Sequence, residues 1–308
     1  MTYSIEDFPF VSVIVPTLNS EKTIRKCLVS IIHQEYPKDG LEVIVVDGGS
    51  HDKTVEITKE YPVKIIRELQ KGRGRAYNSG LKEAKGSVVA FVDSDAYAKP
   101  NWLIEVVKEL TMNPDIAVVY CRLQASPDSS FLQKCIDTVN FKGSGQSNGA
   151  VYRSIILLNE GGFSDRLNYL QEDELEFRLR KKGYELKIAD KVLVYHYPRK
   201  SIKDYLKQNI EAGKGTILFY NCTKIKKLIF EIVFRSVGMF FPILLLIDAG
   251  YSAAVILFIS VIYALYVAYR THPDYRRLRY LLFIPFVTYI SLVGSFIGYV
   301  TGLLTRGD

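Results

Sequence analysis

The sequence has little of what defines several protein classes. Its 308 residues hold only 4 cysteines, and no two of them stand at the spacing of a metal-ligand pair. Scattered thiols of this kind predict a reduced, cytosolic environment rather than a disulfide framework. There is no arginine-rich tract and no interleaving of basic with aromatic residues, so we expect no nucleic-acid partner. The first residues include Glu6 and Asp7 and no apolar run, so we expect no cleavable signal peptide.

Charge and hydrophobicity are present but unevenly distributed. The formal net charge is +7, which suits anionic lipids or phosphorylated ligands. Residues 1–227 alternate charged and apolar segments, whereas residues 228–304 are dominated by Leu, Ile, Val, Phe and Tyr. We therefore predict a globular domain over residues 1–200, an amphipathic interfacial helix and basic linker over 201–227, and a transmembrane region with two or three helices over 228–308.

Short apolar runs alternate with helical stretches in the first hundred residues. The runs 10–15, 41–46, 63–66 and 87–92 predict buried strands. A helix is expected from about Glu21 to His33 with Ser20 as its N-cap, and another from about Arg75 to Ala84. Strands and helices in this order predict right-handed crossovers and a mainly parallel sheet, which is an α/β fold.

Two carboxylates follow the fourth predicted strand. Asp93 and Asp95, separated by Ser94, stand where open α/β sheets bind their ligands. Hard divalent cations take one or two such carboxylates when phosphates supply the remaining ligands. An acidic turn without function is the alternative, and the two carboxylates alone do not decide between them.

A glycine-rich basic stretch precedes the predicted helix at Arg75. The run 72–75 reads Gly-Arg-Gly-Arg, but it lacks the third glycine of a dinucleotide fingerprint and does not directly follow the first strand. A helix N-terminus with the two guanidiniums of Arg73 and Arg75 suits a diphosphate. A solvated basic turn is an equally good interpretation of this run alone.

Several runs together resemble the family 2 glycosyltransferases. They are Val-Ile-Val-Pro-Thr-Leu-Asn at 13–19, Val-Val-Asp-Gly-Gly-Ser-His-Asp-Lys-Thr at 45–54, Asp-Ser-Asp at 93–95, Asn-Gly-Ala at 148–150, Gly-Gly-Phe at 161–163 and Glu-Asp-Glu-Leu-Glu-Phe-Arg-Leu-Arg at 172–180. The resemblance covers roughly residues 10–215. It implies the GT-A fold, a nucleotide-sugar donor linked to UDP or GDP, Mn²⁺ or Mg²⁺ as cofactor, and inversion at the anomeric carbon.

The resemblance also implies roles on the donor side. Asp95 would hold the metal, and Asp93 would reach the ribose or share the metal, with Ser94 between them in the nucleotide-sugar site. Asp47 would accept a hydrogen bond from the base or ribose, although capping its own glycine turn is the alternative. The residues expected to line the base pocket are Pro16, Thr17 and Asn19.

On the acceptor side, Asp173 matches the position of the family's catalytic base. Glu172 beside it would also lie on the acceptor side. The alternative is that Asp173 only complements the dipole of a charged helix over 171–182. His196 is a further metal candidate or an ordinary histidine at the end of a strand. Arg199 is expected either on the acceptor side or in solvent.

Two positions depart from the family pattern. Many members carry arginine immediately before the asparagine of the helix that follows the third strand, but Tyr77 stands there in this chain. Either Arg73 or Arg75 then contacts the diphosphate, or the contact is absent. Ala96 and Tyr97 follow the aspartate pair, where polyprenyl-phosphate sugar synthases usually have Leu-Gln, which weakens a simple polyprenyl phosphate as acceptor.

The C-terminal region contains three candidate membrane spans. Residues 228–247 include Glu231 and Arg235 and are expected either to cross the membrane or to begin as a surface helix. Residues 250–269 and 280–304 carry no charge. The connecting stretch 270–279 has four arginines, so the positive-inside rule predicts that it and the catalytic domain are cytoplasmic. A buried helical subdomain is the alternative.

These patterns predict a membrane-bound, metal-dependent, inverting hexosyltransferase. It would move a sugar to a lipid-linked acceptor at the cytoplasmic face, with a lipid-linked glycan slightly favoured over dolichyl or polyprenyl phosphate. The alternatives are a non-catalytic nucleotide-sugar-binding scaffold and a processive polysaccharide synthase, which is disfavoured because the Gln-x-x-Arg-Trp run of that branch is absent. The base, the sugar, the lipid and the oligomeric state are not encoded in any motif we recognise.

Overall fold

The computed structural model describes residues 8–70, 72–140, 148–223, 232–233, 235–236 and 278–304. Its strands are β1 (Val11–Thr17), β2 (Leu41–Asp47), β3 (Lys64–Arg67), β4 (Val88–Phe91), β5 (Ala96–Ala98), β6 (Ile116–Ala125), β7 (Val151–Arg153) and β8 (Glu185–His196). Its helices are α1 (Ile24–Ile32), α2 (Thr54–Thr58), α3 (Arg73–Glu83), α4 (Trp102–Thr111), α5 (Phe131–Asn140), α6 (Ser154–Asn159), α7 (Gln171–Lys181), α8 (Ile202–Thr223) and α9 (Leu278–Leu304). The predicted α/β fold is confirmed.

The strands form one eight-stranded sheet in the order β3-β2-β1-β4-β7-β6-β8-β5. The neighbours β3-β2-β1-β4 are parallel, as are β6 and β8, whereas β7 and β5 pair antiparallel with their neighbours. The chain moves outward from β1 to β3 and then returns to β4 on the other side of β1. The carboxyl ends of β1 and β4 therefore flank a topological switch point, where open α/β sheets bind ligands.

Apolar side chains cover both faces of this sheet. On one face, α1 and α4 bury residues such as Leu28 and Trp102 against the valines of β1, β2 and β4. On the other face, α3, α6 and α7 bury Tyr77, Leu157 and Leu175 against Ile14 and its neighbours. Strands buried on both faces need no alternation of polar residues, which is why they read as continuous apolar runs.

Two helix starts differ from the sequence prediction. The first helix begins at Ile24, and Thr23 rather than Ser20 is its N-cap. The Ser20 side chain is instead 2.8 Å from Ser94 Oγ, while its carbonyl accepts the amide of Ile24. Helix α3 begins at Arg73 instead of Arg75, because Gly72 turns into it with φ 141°, a conformation that favours glycine. Both guanidiniums therefore lie in the first turn of α3.

The chain divides into two compact units. The first comprises residues 1–126 and 143–196 and contains the sheet. The second comprises residues 127–142 and 197–308, and its described helices are α5, α8 and α9. Of the described residues, Phe283–Leu304 form a helix of 22 residues that is long and apolar enough to cross a membrane. The predicted span 250–269 lies outside the described residues, as does most of 228–247.

Helix α3 approaches β1 so closely that Gly80 has no room for a side chain. A Cβ at this position would collide with Ile14 Cγ2 and lie 3.1 Å from Ile14 Cγ1. Ile14 has no exposed surface, so it has no free space into which to move. The close contact sets the distance of α3 from the sheet.

We expect Gly80→Ala to destabilise the protein although alanine is the better helix former. The propensity gain is at most ~1 kcal/mol, whereas overpacking a closed core costs about 1–3 kcal/mol. The free energy of unfolding, measured by denaturant titration, should therefore fall, while Lys82→Ala on the exposed side of the same helix should change it little. A more stable Gly80→Ala variant would contradict this account of the packing.

Candidate active site

The candidate site lies at the carboxyl ends of β1 and β4. Asp93 follows β4 by two residues, and three groups fix it in place. The Tyr77 hydroxyl donates to Asp93 Oδ1 over 3.0 Å, and the backbone amide of Asp93 donates to Asn148 Oδ1 over 3.1 Å. The Cys27 thiol lies 3.6 Å from the Asp93 carbonyl oxygen, and burial raises the pKa of that thiol. The aspartate is thus held in one orientation from both faces of the sheet.

Arg73 stands between two acidic side chains. Its guanidinium is 3.7 Å from Asp93 Oδ2 and 3.8 Å from Glu172 Oε1. Both carboxylates are largely buried, with 17% and 11% of their side-chain surface exposed. The charge of Asp93, and to a smaller extent that of Glu172, raises the pKa of Arg73 well above its ordinary value, so the guanidinium remains charged.

Arg75 points to a different group of residues. It hydrogen-bonds to Gln70 and lies 3.9 Å from Asp165 Oδ2. These residues belong to a polar cavity of about 260 Å³ that is also lined by Glu68 and Lys82. Of the two arginines that the sequence proposed for the diphosphate, only Arg73 faces Asp93.

Residues Tyr77 and Arg73 are four apart on α3 and therefore share one face of the helix. This face is directed at Asp93, which the Arg73 guanidinium and the Tyr77 hydroxyl approach from successive turns of the helix. Tyr77 has no exposed surface and packs against Phe91 and Phe163, with ring centroids 4.7 and 4.9 Å away. Tyr77, which stands where many family members have arginine, therefore holds Asp93 directly.

Asn78 connects α3 to the loop that leads to α7. Its amide donates to the Phe163 carbonyl over 2.8 Å and accepts the Phe163 amide over 2.9 Å. Gly162 has φ 73°, and a Cβ there would collide with the Asn78 side chain. Two hydrogen bonds thus join the Asn78 side chain to the Gly-Gly-Phe run at 161–163 and fix the loop.

The first-strand side of the site contains the residues predicted for the base pocket. Pro16 and Thr17 end β1, and Thr17 pairs with Asp47 of β2. Thr17 Oγ1 is buried and has no hydrogen-bond partner among the described residues, so it can bond to a ligand. Asn19 adopts φ 51° and accepts the His51 amide over 2.9 Å, which joins the loops after β1 and β2.

Asp47 caps the turn that follows its own strand. Its carboxylate accepts the amides of Gly49 and Ser50 at 3.1–3.2 Å, and the residue has no exposed surface. The capping role that the sequence left as an alternative is therefore present. Contact between Asp47 and a nucleotide stays a prediction.

The residues that follow Asp93 supply oxygen donors for a divalent cation. Asp95 is half-buried beside buried Ser94, and His196 lies on β8 in register with Ala96. Among the described residues, no three His, Cys, Asp or Glu side chains are grouped as a complete metal site. Two carboxylates nevertheless fit Mg²⁺ or Mn²⁺ when a diphosphate supplies further oxygens. The donor set therefore suits a cation bound together with its ligand, and the role of His196 stays a prediction.

The predicted catalytic base lies in the first turn of α7. Asp173 and Glu172 follow Leu170, which is in the left-handed conformation with φ 64°. Two ion pairs at four-residue spacing stabilise this helix, Glu174 with Arg178 at 2.8 Å and Glu176 with Arg180 at 2.7 Å. Glu172 is tied to the donor side through Arg73, so the geometry links the start of α7 to the end of β4.

Two tyrosines lie in the core near this acidic turn. Tyr120 and Tyr152 are at most 2% exposed, and burial raises the pKa of both hydroxyls. The charges of Glu176 and Glu172 add to the increase for Tyr120. Arg199 belongs to the second unit, where its Nε donates to Gln208 over 3.2 Å, and its role on the acceptor side stays a prediction.

Sequence reasoning missed two residues of the site. Tyr77 was noted only as a departure from the family pattern, although its four-residue spacing from Arg73 was a usable signal. Asn148 was quoted within a motif, but its bond to the Asp93 amide joins positions 55 residues apart. No periodicity in the sequence indicates such a long-range contact.

Comparison with known proteins identifies relatives and structural neighbours of this chain. A relative from Methanococcus voltae, named dolichyl N-acetyl-alpha-D-glucosaminyl phosphate 3-beta-D-2,3-diacetamido-2,3-dideoxy-beta-D-glucuronosyltransferase, is 28% identical over 95% of this chain and 98% of its own length. The structure of the Pyrobaculum calidifontis mannosyltransferase PcManGT, in complex with GDP-Man and Mn²⁺, superposes with a TM-score of 0.70 at 19% identity, over 96% of this chain and 88% of that one.

A second solved structure, S. aureus TarS 1–349 in complex with UDP-GlcNAc, has a TM-score of 0.54 at 20% identity and covers 95% of this chain and 92% of that one. At these identities the two structures establish the fold alone. The sequence model described as glycosyl transferase family 2 matches residues 12–168, which include the strand ends, the aspartate pair and the loop fixed by Asn78. The chain therefore belongs to glycosyl transferase family 2.

Proposed function

We propose that this glycosyltransferase transfers a sugar, with inversion, from a nucleotide-sugar donor to a lipid-linked acceptor at the cytoplasmic face of a membrane. The observation that carries the proposal is the position of Arg73 between Asp93 and Glu172. The guanidinium of Arg73 faces both Asp93, which we propose for the donor side, and the acidic first turn of α7, which we propose for the acceptor side. In a displacement the leaving group and the incoming nucleophile stand on opposite sides of one carbon atom, so the donor side and the acceptor side have to lie this close together.

On the donor side, the ends of β1, β2 and β4 would hold the nucleotide. The unpartnered Thr17 Oγ1 offers a hydrogen bond to the base or ribose. Asp93, kept in place by Tyr77, would reach the ribose or share the cation with Asp95. Both a GDP-sugar and a UDP-sugar are candidates, since the structural neighbours are complexes with GDP-Man and UDP-GlcNAc.

Arg73 is the side chain that we assign to the diphosphate. It is permanently charged, and its planar guanidinium can bind two phosphate oxygens at once. As the bond from the anomeric carbon to the diphosphate breaks, negative charge develops on the leaving oxygen, and a fixed cation stabilises it. Arg75 is engaged with Gln70 and Asp165 and is not assigned a role in this step.

Asp95, together with Asp93, would hold a divalent cation. The cation, when bound, supplies Lewis-acid neutralisation of the diphosphate. The Mn²⁺ in the complex of PcManGT supports this proposal. The protein contributes fixed carboxylate oxygens, and Tyr77 limits the rotation of one of them.

On the acceptor side, Asp173 is the proposed general base. A hydroxyl oxygen would attack the anomeric carbon from the side opposite the diphosphate and lose its proton to the Asp173 carboxylate. The relative from Methanococcus voltae, whose name contains a dolichyl sugar phosphate, favours a sugar hydroxyl on a lipid carrier. A lipid phosphate is already ionised and would require no base.

Membrane attachment explains how the enzyme would reach such an acceptor. The second unit contains the apolar helix α9, and the chain before it, 228–277, is mostly apolar in sequence. The four arginines at 270–279 favour the cytoplasmic side for the catalytic unit. Nucleotide sugar in the cytoplasm and acceptor in the membrane would then meet at the protein.

We expect Asp95→Asn to abolish metal-dependent turnover without unfolding the protein. Loss of the cation contact removes several kcal/mol of transition-state stabilisation, which corresponds to at least about 10²-fold in rate. The measurement is nucleotide-sugar hydrolysis with Mn²⁺ or Mg²⁺, beside thermal stabilisation by a panel of UDP- and GDP-sugars. A wild-type protein that is stabilised by a donor but hydrolyses none would favour the non-catalytic scaffold, and one that is stabilised by no donor would refute the proposed function.

Arg73→Ala and Arg75→Ala form a matched pair, because each removes one guanidinium from the first turn of α3. We expect Arg73→Ala to lower kcat/KM by about 10²-fold, as does the loss of a donor aimed at developing negative charge. Arg75→Ala should stay within about fivefold of wild type, because a half-exposed ion pair contributes at most ~1 kcal/mol. Equal losses in the two variants would contradict the assignment of Arg73 to the diphosphate.

Asp173→Asn distinguishes the two acceptor classes. With a hydroxyl acceptor, turnover should fall by about 10²–10⁴-fold while donor binding is retained, because the amide cannot take the proton. Unchanged transfer to a lipid acceptor would show that Asp173 is not the base and would favour a phosphate acceptor. Lys182→Ala beyond the other end of α7 is the control for general effects on that helix.

A further inference from the structure

Helices α8 and α9 run side by side in the second unit. Glycines remove the side chains that would separate them: a Cβ at Gly294 would lie 2.7 Å from Asn209 Cβ, and one at Gly302 would lie 3.2 Å from Lys214 Cα. Between these points Gly298 lies against Ile210 and Gly213. Contacts that advance by four residues on both helices, over about two turns, mean that the helices are parallel and closely aligned.

Polar bonds accompany this close contact. Ser291 of α9 donates to Asn209 Oδ1 over 2.6 Å, and Arg235 donates to Ser295 Oγ over 3.2 Å. Asn209, Ser291 and Ser295 are all at most 7% exposed. The face of α9 that meets α8 is therefore lined by small and polar side chains. Because the two helices lie side by side, we expect the same medium to surround both.

The aligned part of α8 is strongly charged. Because Gly294 lies against Leu206 and Asn209, Lys207 is level with the middle of the candidate span Phe283–Leu304. Lys203, Asp204 and Lys207 are exposed, and Glu211 and Lys214 form an ion pair of 2.8 Å with about a third of each side chain exposed. Exposed charges at the centre of a bilayer are rare and costly. An α9 that crosses the membrane would carry these charges into the hydrocarbon.

The opposite side of α9 is apolar and uncovered. Phe286, Ile297, Val300 and Leu304 follow one another at helical spacing, and each is 38–78% exposed. We call these four residues the apolar stripe. It runs nearly the length of the helix, away from the glycine face, and parallel to the charged side of α8.

We propose that α8 and α9 lie together along the membrane–water interface, with the apolar stripe in the acyl region and the charges of α8 at the headgroups. The occupant of the stripe is thus lipid. Helices with one apolar and one charged side bind membranes in this manner, and their lysines attract anionic lipids. Lys203 and Lys207 supply that attraction here. This inference concerns how the chain is anchored and goes beyond the proposed transfer reaction.

Cysteine labelling in reconstituted vesicles that contain anionic lipid tests this arrangement. The parent is the full chain with Cys222→Ala, since Cys27, Cys121 and Cys135 are buried. Lys207→Cys and Lys214→Cys should react with a membrane-impermeant maleimide in the same vesicles in which Met112→Cys reacts, because Met112 is exposed in the catalytic unit. Ile297→Cys lies on the apolar stripe. It should react much less readily than Met112→Cys in these vesicles, because lipid covers the stripe.

Two results would overturn the proposal. If Lys207→Cys and Lys214→Cys react only after the vesicles are permeabilised, α8 and α9 are within or beyond the bilayer. If Ile297→Cys reacts as readily as Met112→Cys, lipid does not cover the stripe. Donor hydrolysis is measured on the same vesicles, so that a failure of this proposal is distinguished from a failure of the proposed function.

Discussion

The site depends on the fixed orientation of one carboxylate. Asp93 stands just beyond a buried strand, where its backbone has left the ladder, and it would be free to rotate if Tyr77 and Asn148 did not bind it. The phenol of Tyr77 can reach it only because Gly80 lets α3 approach β1. Arg73 in turn faces Asp93 because it precedes Tyr77 by four residues on the same helix. The sheet, helix α3 and the loop that carries Asp93 are therefore all aligned through the carboxylate of Asp93.

The sequence predicted those features of the fold that repeat locally. Strands buried on both faces appear as apolar runs, so β1, β2 and β4 and the position of the aspartates after β4 were evident. The choice between Arg73 and Arg75 was not, because a shift of two residues in the start of α3 changes which guanidinium faces the sheet. The contact of Asn148 with Asp93 and the pairing of α8 with α9 join distant residues, and composition carries no sign of them.

The two units meet the requirements of different solvents. In the first, polar groups that end the strands are brought together over a core of apolar side chains on both faces. In the second, glycine and serine form the contact between α8 and α9, and the apolar stripe lies outside. The small residues let the two helices approach closely, as at helix contacts in lipid, while large apolar side chains such as Ile284 and Val287 are buried elsewhere in the unit.

The charge balance of the site has a consequence for how a donor arrives. Asp93, Asp95, Glu172 and Asp173 bring four negative charges against the single positive charge of Arg73. A diphosphate is itself an anion, so without a compensating cation it meets net repulsion at short range and low dielectric constant. A donor that carries a divalent ion is much closer to neutral. Selection by overall charge would therefore favour the proposed donor as a metal complex over metal-free nucleoside phosphates, before any hydrogen bond to base or sugar is made.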